Sequence, residues 1–118
     1  MPKKWLSDSE AMEYLAGQQE GRLATTDQNG QPYITPLNYI LYEGKMYFHS
    51  ALKGRKLDNI AFNSRVCFEV SHTDKNVFNM NPCDSGTRFC SVLVFGKASV
   101  IEDAAKKIAV LTALTQRF

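Results

Sequence analysis

The stretch from Tyr33 to Tyr42 constrains this chain more than any other feature, because it reads as one long strand with large apolar residues on both alternating faces. Side chains in a strand point to opposite faces with period two. One face carries Tyr33, Leu37, Tyr39 and Leu41; the other carries Ile34, Pro36, Ile40 and Tyr42. Val92 to Phe95 is apolar on both faces as well. With 118 residues, the chain is expected to form a single domain, over residues 1–118, with one real core. In so small a domain only helices or a second subunit can cover both faces of such strands. Dimerisation is therefore a physical expectation.

The neighbouring segments extend this pattern. Leu23 to Thr26 is a strand candidate, and Asn29-Gly30 is a strong hairpin signal because both residues tolerate positive φ. Pro36 cannot donate to a ladder, so an unpaired stretch, a bulge or an edge is expected there. Glu43-Gly44 makes the next turn and Lys45 to His49 a third strand. Val66 to Val70 reads as a fourth strand, residues 72–86 as a polar loop, and residues 87–101 as a long strand with a bend or bulge at Gly96. Three helices are expected. Residues 8–17 follow the capping-box spacing of Ser7 and Glu10, residues 54–63 carry Leu57, Ile60 and Ala61, and a final helix starts near Asp103. Hairpin-linked strands with an inserted helix predict an antiparallel barrel or strongly curled sheet.

Composition excludes several classes. Hydrophobic residues make up 44% and charged residues 22%, which is not the profile of a disordered chain. Lys and Arg number 14 against 12 Asp and Glu, so no global field favours nucleic acid or an anionic membrane. No apolar run approaches the roughly 20 residues of a membrane span, and the N-terminus lacks a signal-peptide pattern. Cys67, Cys83 and Cys90 are odd in number and without C-x-x-C spacing, which fits reduced thiols in a cytoplasmic protein. His49 and His72 are not at zinc-ligand spacing from them, so no metal is expected.

The segment Tyr47-Phe48-His49-Ser50-Ala51-Leu52-Lys53-Gly54-Arg55-Lys56-Leu57 carries the clearest chemistry. A strand ends and a helix begins there, and Lys53, Arg55 and Lys56 crowd the helix's positive end. Cations at that end oppose the helix dipole and need a reason to be there. Free backbone amides, the Ser50 hydroxyl, the His49 imidazole and these cations are what a phosphate ester requires. A solubilising charge run is the plainer alternative. A second constellation is Thr35-Pro36-Leu37-Asn38-Tyr39, where a flat heterocycle could use the backbone groups that proline frees; an ordinary edge strand is the plainer reading. In a third, Asn81 to Asp84 with Arg88, Phe89 and Ser91, Arg88 could meet an anionic group. Neither histidine can be placed beside Cys83, so a nucleophilic role for it has no support beyond Arg88 and lysine residues.

Four motifs in order, G-R-L-A-T at 21–25, P-Y-I-T-P-L-N-Y at 32–39, Y-F-H-S-A-L-K-G-R-K at 47–56 and C-D-S-G-T-R-F-C-S-V-L-V-F-G-K-A at 83–98, resemble the FMN-binding split-barrel family related to pyridoxamine 5'-phosphate oxidase. The subgroup most resembled is that of the 5-nitroimidazole resistance (Nim-type) proteins. The resemblance implies a mainly β, Greek-key-like six-stranded split barrel with short helices, forming a homodimer with FMN at the subunit interface. It implies phosphate contacts at His49, Ser50, Lys53, Gly54 and Lys56. It lays the isoalloxazine ring along Pro36, Leu37, Asn38 and Tyr39, with Arg88 and Ser91 approaching from the partner. Relatives of this kind continue beyond Phe118 into another strand, so either a short member or a piece of a longer chain is expected, with a barrel incomplete at its C-terminal end. The Arg/His substrate motif of the vitamin B6 oxidases does not occur. The implied function is an FMN-dependent oxidoreductase acting on a small aromatic or nitro compound, with His49 as the candidate proton donor. The alternative is a flavin or haem carrier or sensor on the same fold.

Overall fold

The computed structural model describes residues 5–50, 53–73 and 89–117. In chain order the elements are α1 (Asp8–Gly17), β1 (Glu20–Thr26), β2 (Pro32–Tyr42), β3 (Lys45–Phe48), α2 (Arg55–Phe62), β4 (Arg65–Thr73), β5 (Phe89–Lys97) and α3 (Ala104–Arg117). The strands form one curled antiparallel sheet in the order β3-β2-β1-β4-β5. Five strands stand where six were expected among the described residues; the mainly β architecture is as expected.

Local chemistry accounts for the boundaries. Ser7 and Glu10 close a capping box at α1: the Glu10 amide donates to Ser7 Oγ at 3.1 Å, and the Ser7 amide donates to Glu10 Oε1 at 3.0 Å. At α3 the Lys106 amide donates to Asp103 Oδ1 at 3.1 Å, the expected N-cap. The β2–β3 turn has positive φ at both Glu43 (50°) and Gly44 (76°), the backbone of a tight hairpin turn. The β1–β2 connection is built differently. Only Gly30 (φ 80°) takes the left-handed conformation, and Asp27 Oδ1 accepts from the amides of Asn29 at 2.8 Å and Gln31 at 2.9 Å.

Gly96 corrects an expectation. It pairs with Val66 in an unbroken register that runs from Arg65↔Lys97 to Thr73↔Phe89, with no bulge. The long strand is also shorter than the expected 87–101, ending at Lys97, after which the Ala98 amide turns to donate to Ser64 O at 2.8 Å. Most of the expected polar loop, and Cys83 and Arg88 with it, lies outside the described residues.

One face of the sheet is closed. Leu23, Tyr39, Phe68 and Val70 meet Leu15 of α1 and Ile60 of α2 in the main cluster. Each such side chain contributes about 1.5–3 kcal/mol relative to leaving it exposed. Tyr39 packs edge-on to Phe68, with centroids 5.2 Å apart. The Asn59 side chain donates to buried Thr25 Oγ1 at 3.0 Å, satisfying the polar pair inside that face. Gly21 is required by the approach of β4: a Cβ there would lie 2.7 Å from Glu69 O and collide with the Phe68 ring. α3 buries Val110 and Leu114 and packs against β2, with Lys106 Nζ 5.6 Å from the Tyr47 ring centroid.

The opposite face is open. Register places Ile34 and Pro36 of β2, Ala24 and Arg22 of β1, Cys67 and Glu69 of β4, and Phe95 and Leu93 of β5 in rows across it. Ile34 is 63% exposed, Leu93 54% and Phe95 75%. Among the described residues, no helix is long and apolar enough to cross a membrane.

Candidate ligand-binding site

β2 changes character along its length. β1 pairs with it from Pro32 to Asn38, whereas β3 pairs only with Tyr39–Tyr42. Among the described residues, 32–38 therefore form an open edge on the β3 side, which is the edge expected at Pro36. The Tyr39 amide donates toward β1, to Gln19 O at 3.1 Å. Because backbone groups alternate sides along a strand, those of Ile34, Pro36 and Asn38 face away from β1, along the open edge.

β3 ends at Phe48, opposite Tyr39, so the chain leaves the ladder beside this edge. His49 is exposed and Ser50 half-buried. Gly54 then caps α2 with φ 146° and ψ 169°, and, having no side chain, it makes no side-chain cap hydrogen bond to the first amides of the helix. That conformation is essentially confined to glycine. Lys53 and Arg55 are exposed and Lys56 half-buried. Arg55 Cζ lies 5.2 Å from the Tyr33 ring centroid. The cationic start of α2 is thereby seated near the far end of the same open edge.

The predicted residues divide into groups. Lys53, Gly54 and Lys56 stand at the start of α2, His49 and Ser50 follow the end of β3, and Pro36 and Asn38 stand exposed on the free half of β2. Leu37 and Tyr39 turn their side chains inward. Leu37 packs on the core, and Tyr39 is 1% exposed, its hydroxyl donating to Leu15 O at 2.5 Å. Their backbone groups point toward β1, so the two residues frame the open edge without offering groups along it. Ser91 lies on β5, separated from β2 by β1 and β4, and is not brought to this site within the sheet.

Two polar clusters were not anticipated. Arg22 Nε donates to Glu69 Oε1 at 2.7 Å, and its Nη2 donates to Ser71 Oγ at 3.1 Å, in the middle of the open face. Burial pushes the Glu69 carboxyl up, but hydrogen bonds from Ser71 and Arg22, with the Arg22 charge, leave it below the usual carboxylate range. A polar hollow of about 420 Å³ lined by Gln18, Gln19, Glu20, Arg22 and Ser71 opens beside them, one strand from Pro36 and Asn38. In the second cluster, Tyr14 Oη lies 2.8 Å from His72 Nδ1 and donates to Cys90 O at 3.3 Å. Both depend on strand register across distant segments, which no local motif encodes. Among the described residues no group of His, Cys, Asp and Glu is arranged to hold a metal ion.

The donor set suits a phosphate-bearing planar group: uncapped amides and cations at one end, free strand backbone at the other. The profile of the pyridoxamine 5'-phosphate oxidase family matches residues 7–118, and the chain belongs to that family. Its fold is shared by several solved structures. A conserved hypothetical protein from Mycobacterium tuberculosis superposes with a TM-score of 0.79 at 23% identity, over 97% of this chain and 65% of that one. An FAD-binding protein from Mesorhizobium loti gives 0.73 at 26% identity, over 95% of this chain and 75% of that one. A candidate 5-nitroimidazole antibiotic resistance protein from Bacteroides thetaiotaomicron gives 0.77 at 24% identity, over 95% of this chain and 66% of that one. This chain thus spans about two-thirds of the length of the first and third of these relatives. No functionally curated protein matches the sequence.

Proposed function

We propose that this protein binds a flavin, FMN in particular, and uses it as an oxidoreductase toward small aromatic or nitro compounds. The observation that carries the reading is the uncapped start of α2, with Lys53, Arg55 and Lys56, beside the open edge of β2. The FAD-binding relative at 26% identity supports it.

Bound flavin would supply the electron-transfer chemistry. The chain's own work is to hold and orient it. Amides at the start of α2 and the ammonium groups of Lys53 and Lys56 meet the dianionic phosphate. Gly54 gives the turn a conformation that lets those groups converge. The backbone of Pro36 and Asn38, facing the open edge, would hold the polar edge of the ring. His49, exposed at the end of β3, is the candidate proton donor.

A second copy completes the arrangement. Leu93, Phe95 and Ile34 are too exposed on a common face to be left in water, and Ser91 would reach this site across such a contact. Sedimentation of the wild-type protein and Leu93→Asp tests this: a dimer that Leu93→Asp dissociates is expected, and a wild-type monomer would remove the proposal.

The principal test is FMN titration followed by fluorescence quenching, with an absorption spectrum of the purified protein. Wild type is expected to bind FMN, and Lys53→Ala/Lys56→Ala to weaken binding by about 100-fold, as loss of two charge-assisted contacts implies. Equal binding by the double variant would refute the phosphate assignment. A Soret band in place of flavin bands would turn the reading to haem carriage.

A further inference from the structure

Tyr39 looked like a ring contact, yet it is among the most deeply buried side chains of the core. Its position on β2 makes that burial consequential. It stands where pairing with β3 begins, and its neighbour Asn38 is the last residue of the open edge. Both of its hydrogen-bond donors are tied to the segment of α1 and the connection that follows. The hydroxyl donates to Leu15 O at 2.5 Å, and the amide donates to Gln19 O at 3.1 Å. Tyr39 is also wedged edge-on against Phe68 of β4.

α1 is itself a firm anchor. Its start is closed by the capping box, Leu15 is 2% exposed, and Tyr14 ties it to the far strands through His72 and Cys90 O. The hydroxyl shares the Leu15 carbonyl, near the C-terminal end of α1, with the Gln18 amide, which donates to it at 3.4 Å. Any rotation of β2 at residue 39 must break one of these contacts. The direction in which Asn38 presents its backbone is set from the opposite side of the sheet.

We infer that Tyr39 is a positioning residue: by locking β2 to α1 it aims the Asn38 backbone at the flavin ring, without touching the flavin. This rests on the flavin reading above. It predicts an effect confined to the ring, because the phosphate end of the site belongs to a different element, α2.

Two probes separate the ends of the site: lumiflavin, which has the ring and no phosphate, and inorganic phosphate as a competitor against FMN. In Tyr39→Phe the ring packing is kept and only the hydroxyl is lost. Lumiflavin binding should weaken about five- to tenfold, as expected for one buried hydrogen bond. The absorption bands of bound FMN should shift, and the inhibition constant of inorganic phosphate should stay as in wild type. Tyr14→Phe loosens the other attachment of α1 and should weaken lumiflavin about twofold, which keeps the test in hand if Tyr39→Phe does not fold. A general loss of stability would lower both affinities together, and that outcome overturns the inference. So does unchanged lumiflavin binding in every variant that folds. If wild type binds no flavin at all, the flavin reading fails first, and this inference falls with it.

Discussion

The two halves of β2 differ in one respect. From Tyr39 to Tyr42 the strand is paired with β3, whereas from Pro32 to Asn38 it is paired with β1 and open on the other side. The first half builds the molecule, carrying Tyr39 into the core. The second half leaves backbone groups unpaired beside a cationic helix start. Exposed strand edges are usually blunted because they invite other chains. Here Pro36 removes one donor from the edge, which lowers its value as a template for strand addition and leaves acceptors for a ligand. A single strand thus serves as scaffold and as site, and the boundary is where β3 stops.

Proline substitution is the sharpest way to break this contrast. The Ile40 amide faces β3 in the paired half. Ile40→Pro removes a ladder bond and strands a carbonyl of β3, at a cost of about 3 kcal/mol. For a domain of this size that corresponds to a fall in Tm of about 10–20 °C. Ile34→Pro, two residues from Pro36 and facing the open edge, should cost less than about 1 kcal/mol. Thermal unfolding by circular dichroism measures both. Equal losses would mean that the edge is not open in solution.

Gly54→Ala is expected next in size. A Cβ at Gly54 would meet nothing within 4 Å, so its effect comes from backbone conformation alone at φ 146°. The strain is about 1–3 kcal/mol. If the turn relaxes to relieve it, FMN affinity should fall about tenfold while α3 and the core keep their signals. An Ala variant with wild-type affinity would show that the Gly54 conformation does not organise the phosphate contacts.

The same contrast separates what was legible in the sequence from what was not. α1 could be read from Ser7 and Glu10, and α2 from Leu57 and Ile60, because caps and helical periodicity are local. The cationic start of α2 was equally legible, because Lys53, Arg55 and Lys56 lie next to the Gly54 cap in the sequence. The inward turn of Tyr39 was hidden because both faces of β2 carry large apolar residues, leaving no alternation to choose between them. Arg22 and Glu69 are 47 positions apart, and their ion pair follows from the β1–β4 register. Gly96 misled for a related reason. Glycine in a strand signals a bulge only when the partner strand forces one, and β4 runs past it in step.

The smallest expected effect concerns the clasp that holds α1 against the far strands. Tyr14 is pushed up to about 12 from an ordinary 10, chiefly by burial and then by the negative charges that Cys90, Tyr39 and Glu69 would carry, with Arg22 opposing. The folded protein therefore keeps this proton at pH values where the unfolded chain releases it. The stabilisation is fully present below pH 10 and is lost as pH rises toward 12. Tyr14→Phe should be less stable than wild type by about 1 kcal/mol at neutral pH, and the difference should shrink across that alkaline window. Urea unfolding of both proteins at several pH values measures the difference directly, so the titration of other tyrosines and lysines cancels. A gap that stayed constant with pH would mean that the Tyr14 hydroxyl holds no special proton, and that α1 is fixed through Leu15 and Tyr39 alone.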